Sequence, residues 1–181
     1  CMSSYREVAE LILKLKGELF LSPRERWFLK RLEESAYPWQ LVEEGIKRFY
    51  AKLPPERRKK TPAFFALGEI ERLKKRAIKN SAGKEDNWRE RFKGLLEKLG
   101  EFIEVPKVEP KDKMSAEEIL ADLESKLYKH LWENLPEEEK KALLKKYAQF
   151  KQDKTALSFM IKGELRKKFG LGVFSLFVEE K

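Results

Sequence analysis

The stretch that decides the fold is Leu21–Ile78, LSPRERWFLKRLEESAYPWQLVEEGIKRFYAKLPPERRKKTPAFFALGEIERLKKRAI. It reads as three consecutive helices with their start and stop signals in place. Ser22-Pro23-Arg24-Glu25 opens the first: Ser22 can accept from first-turn amides, Pro23 suits the first helical position, and Glu25 completes a capping box. Phe28, Leu29 and Leu32 follow at helical spacing. The helix ends near Ser35 or Ala36, because Tyr37 precedes Pro38 and is excluded from the α region. Pro38 opens the second helix, whose apolar face is Leu41, Val42, Ile46, Phe49 and Tyr50. Gly45 interrupts that face at a cost of about 1 kcal/mol relative to alanine, which predicts a close helix crossing. Leu53-Pro54-Pro55 stops it, and Glu56 to Lys60 form a charged loop. Thr61-Pro62 predicts an N-cap with proline at N1, and Phe65, Ile70, Leu73 and Ala77 supply the third apolar face.

Charge is distributed unevenly. From Lys47 to Lys79, twelve Lys or Arg stand against three Glu, a net of +9 that equals the net charge of the whole chain. An anionic partner needs such a concentration of positive charge, although a solvated helix face in a Lys-rich protein produces it too. The residues to hold phosphates would be Lys47, Arg48, Arg57, Arg58, Lys59, Lys60, Arg72, Lys75, Arg76 and Lys79. Each contact would position the nucleic acid without reading its sequence.

The order of these segments resembles the C-terminal domain of the DnaD-type bacterial replication-initiation proteins. Leu21, Ser22 and Pro23 match its helix opening, Tyr37 and Pro38 its turn, and Leu41, Val42 and Ile46 its second helix. Phe65 and Ile70 stand near its later Tyr and Ile, while Leu73 is nearest to its Trp. The resemblance implies DNA binding by the third helix and the chain after it, and a role in replication.

The 181 residues are 41% hydrophobic and 39% charged, with 12 Phe and 4 Trp, enough to build real cores. The pI near 9.4 accords with a nucleic-acid partner. Asn and Gln are scarce while Lys and Glu abound, a bias of heat-adapted proteins. Cys1, ahead of Met2, is the single cysteine, which leaves no intrachain disulfide or thiolate cluster. No apolar run reaches membrane-spanning length, and Glu10, Lys14 and Lys16 interrupt the N-terminal apolar residues, so a cytoplasmic protein is expected.

Ahead of the central stretch, Tyr5, Val8, Ile12 and Leu15 make one helical stripe that Leu11 widens and Leu19 could extend, and Gly17 ends this helix or begins the connection to Ser22. Residues 3–80 therefore read as a four-helix basic domain. Asn80 to Gly83 is a breaker. Residues 81–103 read as a connecting helix capped at Asp86 or Asn87, with Trp88, Phe92, Leu95, Leu96, Leu99 and Phe102 on its stripe. Glu104 to Lys113, with two prolines, predicts an interdomain linker over 104–114. Ser115 to Glu118 reads as a second capping box. Residues 115–170 then form a three-helix bundle, with Asp153 or Thr155 capping the last helix and Gly170 ending it. The expected fold class is all-α.

The tail, Leu171 to Val178, is apolar and is expected to fold back as an extended segment. A sharper reading makes Phe174, Leu176 and Phe177 partner-binding: Phe174-Ser175-Leu176-Phe177 resembles the Gln-Leu-Ser/Asp-Leu-Phe peptides that dock on bacterial sliding clamps. Val173 takes the place of the Gln and Phe174 that of the Leu.

Catalytic signatures are lacking. His130 is the single histidine, adjacent carboxylates on helices do not face one another, and no phosphate loop or nucleophile elbow occurs. No cofactor or metal is expected. Trp27, Trp39 and Trp88 could stack on bases, but Trp at helical spacing is more often core. The sequence thus predicts a non-enzymatic DNA-binding or replication-accessory protein. The rival reading is a helical interaction adaptor that docks through the 115–181 bundle and tail.

Overall fold

The computed structural model describes residues 4–81 and 86–178. Among the described residues all regular structure is helical: α1 (Tyr5–Lys16), α2 (Pro23–Glu34), α3 (Trp39–Ala51), the short α4 (Pro55–Arg58), α5 (Leu67–Ser81), α6 (Trp88–Gly100), α7 (Lys113–Glu133), α8 (Glu137–Lys146) and α9 (Lys154–Lys168). The 3-10 turns Ala63–Ala66 and Ala148–Phe150 lead into or away from them. No helix among them is long and apolar enough to cross a membrane.

Most terminators work as the sequence predicts. Gly17 takes φ 69° and closes α1 on the Leu13 carbonyl, and Gly170 is left-handed at φ 62°. Ser22 and Glu25 complete the capping box of α2. Asp153 accepts from the amides of Thr155 (3.0 Å) and Ala156 (3.2 Å) at the start of α9. Two starts differ. The Thr61 hydroxyl donates to the Arg57 carbonyl at 2.7 Å instead of capping, and the 3-10 turn intervenes before α5 begins at Leu67. α7 begins two residues before Ser115, because Asp112 is the cap and accepts from the Ser115 amide at 2.7 Å. The Asn80–Gly83 breaker falls partly outside the described residues, and α5 continues through Ser81.

The chain forms two compact units, Cys1–Arg76 with Leu144–Glu164, and Ala77–Leu143 with Leu165–Lys181. This is not the expected division into residues 3–80 and 115–181. The aromatics after α8 explain the difference for the first unit. Phe150 is fully buried with its ring 5.0 Å from that of Phe64. Phe159 lies edge-on to Phe28 and Tyr37, at 6.2 and 5.7 Å. Around them Val8, Ile12, Leu32, Val42, Ile46, Tyr50 and Ile70 are wholly buried. The close crossing predicted at Gly45 is present. A Cβ there would lie 2.7 Å from Ile70 Cγ1 and 3.1 Å from Ile70 Cα, so only glycine lets α3 and α5 meet.

In the second unit α6 packs on α7. Trp88, Phe92, Leu99, Leu120, Leu127, Leu131 and Leu165 are buried. The expected linker, 104–114, has no helix before Lys113, but it lies inside this unit and divides nothing. Lys113 is itself buried, with Nζ 2.7 Å from Asp86 and 4.4 Å from the Phe177 ring centre. The tail folds back as expected. Glu117 accepts from the Ser175 hydroxyl at 2.6 Å and the Leu176 amide at 2.8 Å, and Arg91 donates to the Val178 carbonyl at 2.8 Å.

Candidate nucleic-acid interface

Helix α5 carries the most ordered part of the basic segment. Successive residues of an α-helix turn by about 100°, so Leu67, Ile70 and Leu73, all buried, mark its inner side. Gly68, Arg72, Lys75, Arg76 and Lys79 fall on the opposite side, and all are exposed. Every charged residue on that outer face is basic. The two acids of the helix lie on its flanks and are occupied. Glu69 accepts from Lys52 at 2.6 Å and also pairs with Arg72. Glu71 accepts from the Tyr37 hydroxyl. Lys79 lies one turn beyond Arg76, where the chain has passed to the second unit.

The remaining predicted residues divide by what they touch. Arg58 is half-buried: its Nε donates to the carbonyls of Tyr50 (3.0 Å) and Leu53 (3.2 Å) at the end of α3. Its Nε is thereby engaged with the backbone at the end of α3. Lys47 and Arg48 are exposed on α3 but pair with Glu43 (3.6 Å) and Glu44 (2.8 Å) one turn back. Arg57, Lys59 and Lys60 are exposed on and just after α4, in no ion pair among the described residues. The Tyr50 hydroxyl donates to the Thr61 carbonyl at 2.6 Å, which ties the end of this turn to α3, and Lys52 at the end of α3 reaches Glu69 on α5. The first unit therefore presents Arg57, Lys59 and Lys60 on the turn and Arg72, Lys75 and Arg76 on the helix.

The tail residues have a different fate. Phe174 is 3% and Leu176 1% exposed, so both are core residues of the second unit and are not available for docking in this conformation. Phe177 is half-buried under the Lys113 ammonium. Of the tryptophans, Trp88 is buried and Trp39 half-buried, while Trp27 is partly exposed with its ring edge-on to Tyr147 at 5.8 Å. His130 lies 3.3 Å from the Asn134 amide. Among the described residues no group of three or more His, Cys, Asp or Glu is placed to hold a metal ion.

Sequence reasoning missed Leu19 and Phe20, which stand 85% and 82% exposed between α1 and α2. Leu19 was expected on the α1 stripe, but the helix has already stopped at Lys16. The signal was present: a terminating glycine at 17 and a capping serine at 22 leave the residues between them outside any helix.

A family model described as "Uncharacterised protein" matches residues 3–86. An "Uncharacterized protein" of Aquifex aeolicus (strain VF5) is 36% identical over 171 residues, which cover 94% of this chain and 98% of that one. No solved structure matches.

Proposed function

The chain belongs to the family of this Aquifex aeolicus protein, and we propose that it is a non-enzymatic, cytoplasmic DNA-binding protein that serves replication. The observation that carries the reading is the all-basic outer face of α5, whose only acids are held on its flanks. Lys75 and Arg76, in no ion pair among the described residues, meet a phosphate backbone without competition from a neighbouring acid, while Arg72 shares Glu69 with Lys52. The resemblance to the DnaD-type C-terminal domain supports the same reading and adds the replication context. The rival reading, an interaction adaptor that docks through the 115–181 bundle and tail, keeps the bundle but loses Phe174 and Leu176 as docking residues, because both are buried in the chain's own core.

Binding would rest on Arg57, Lys59, Lys60, Arg72, Lys75 and Arg76 of the first unit. Six phosphate contacts give a slope of about −5 in log K against log salt, so a fourfold rise in salt weakens binding about 10³-fold. The test is fluorescence anisotropy with single- and double-stranded DNA and RNA at several salt concentrations. The triple variant Arg72→Ala, Lys75→Ala, Arg76→Ala should reduce the slope to about −3. An absence of binding at low salt, or a slope the variant leaves unchanged, would remove this reading.

A further inference from the structure

The apolar tip between α1 and α2 is left uncovered by the described residues and is held in place from both sides. Leu19 and Phe20 are adjacent and more than four-fifths exposed. On the α1 side, Gly17 is left-handed and the Glu18 amide donates to the Leu13 carbonyl at 3.0 Å. Lys16 binds Glu18 at 3.1 Å and Glu25 at 2.9 Å, which ties the end of α1 to the start of α2 and neutralises the acid nearest the tip. On the α2 side, the exposed Arg26 donates to the carbonyl of Leu21, the residue after Phe20, at 2.9 Å. Glu25 also accepts from the Ala63 amide at 3.1 Å, so the tip's base is bonded to the segment that follows Lys59 and Lys60.

We propose that Leu19 and Phe20 form a base-stacking tip for unpaired nucleotides, making single-stranded nucleic acid the preferred ligand. The inference rests on the nucleic-acid reading above and adds which form is bound. An aromatic ring with a neighbouring aliphatic side chain offers a flat apolar surface to any unstacked base, and the exposed Arg26 can meet its phosphate. Bases in a duplex are already stacked and would not use it. Because both ends of the turn are pinned, little ordering cost is incurred on binding. Charge favours this ligand over other occupants of an apolar tip. Two side chains fall short of a single myristoyl chain, which alone gives only marginal membrane binding. They also fall far short of the roughly 800 Å² per partner of a standard protein interface.

The experiment compares the full chain with Leu19→Ser/Phe20→Ser, using labelled oligo(dT) and a duplex of equal length at two salt concentrations. Both side chains are exposed, so the variant should melt like the wild type, and circular dichroism checks this. The expected result is a loss of about tenfold in oligo(dT) affinity, with duplex affinity and both salt slopes unchanged. A second variant, Phe20→Trp, should keep oligo(dT) affinity and show quenching of its added indole on binding. If the wild type binds neither form at low salt, both the function and the tip fail. If it binds both forms and the double variant binds them as tightly, only the tip is overturned. Unchanged oligo(dT) binding with a loss of binding to anionic phosphatidylserine vesicles would reassign the tip to a membrane surface. A wild-type dimer that the variant abolishes would reassign it to self-association.

Discussion

Replacing Glu25 with Gln should be one of the most damaging near-isosteric changes in the first unit. Glu25 is 2% exposed. Its carboxylate accepts from Lys16 Nζ at 2.9 Å, from the Ala63 amide at 3.1 Å and from the Ser22 hydroxyl at 3.1 Å. Glutamine preserves the shape and can still accept one amide bond, but it removes the charge that Lys16, itself 9% exposed, was buried against. Breaking one side of a buried pair costs about 3–5 kcal/mol. Glu18 remains 3.1 Å from Lys16 and is partly exposed, so the lower end, about 3 kcal/mol, is expected. For a chain of this length that is a fall in Tm of roughly 6–12 °C. Thermal and urea unfolding of E25Q, K16M and K16M/E25L complete the assay. The double variant should be much less destabilised than E25Q, because it leaves no buried unpaired charge; Glu18, which also loses Lys16, is partly exposed. The pH dependence adds a sign. Burial pushes the Glu25 pKa up, but the hydrogen bond and charge of Lys16, and the amides of Ala63 and Ser22, outweigh it and hold the pKa below the usual glutamate value. A depressed folded pKa contributes stability that is present above the ordinary carboxylate range and is lost as pH falls through the folded value. E25Q should therefore flatten the acid limb of the stability profile. A loss below about 1 kcal/mol in E25Q, or a double variant as unstable as E25Q, would refute the reasoning.

Two further perturbations follow from close packing and from the tail. Gly45→Ala places a methyl against the Ile70 backbone, which cannot yield as a side-chain end can; a loss of about 1–3 kcal/mol in urea unfolding is expected. Glu117→Ala removes the acceptor of both Ser175 and the Leu176 amide. Hydrogen exchange at Leu176 should then accelerate by about tenfold or more, with global stability falling by roughly 1–3 kcal/mol.

Helix positions were legible because their punctuation is local. Ser22, Gly17, Asp153 and Gly170 each act on backbone groups within a few residues, and the structure uses all four as the sequence implies. The unit boundaries were not, because membership depends on which distant surface a side chain meets. Nothing in the spacing of Tyr147, Phe150 and Phe159 distinguishes a local bundle core from the core around Phe28 and Phe64. Gly163 makes the same point. It sits inside a helical pattern and gives no turn signal, yet a Cβ there would collide with the Arg31 side chain, which lies against it and donates to the Tyr147 hydroxyl at 2.8 Å.

The candidate site shows the same limit from the charge side. A count over residues 47–79 weighs each Lys and Arg equally, but their availability differs by what lies within hydrogen-bonding distance. Arg58 directs its Nε to two carbonyls at the end of α3, those of Tyr50 and Leu53. Glu69 is withdrawn from the field of α5 by Lys52, seventeen residues away. The outer face of α5 is fully basic because its acids fall on the flanks, a consequence of helical angle that could be worked out from the sequence once the helix boundaries were fixed. Leu19 and Phe20 differ in kind. Their exposure follows from α1 ending at Lys16 rather than continuing through Leu19, which leaves Leu19, expected on the α1 stripe, and the adjacent Phe20 at a solvent-facing tip.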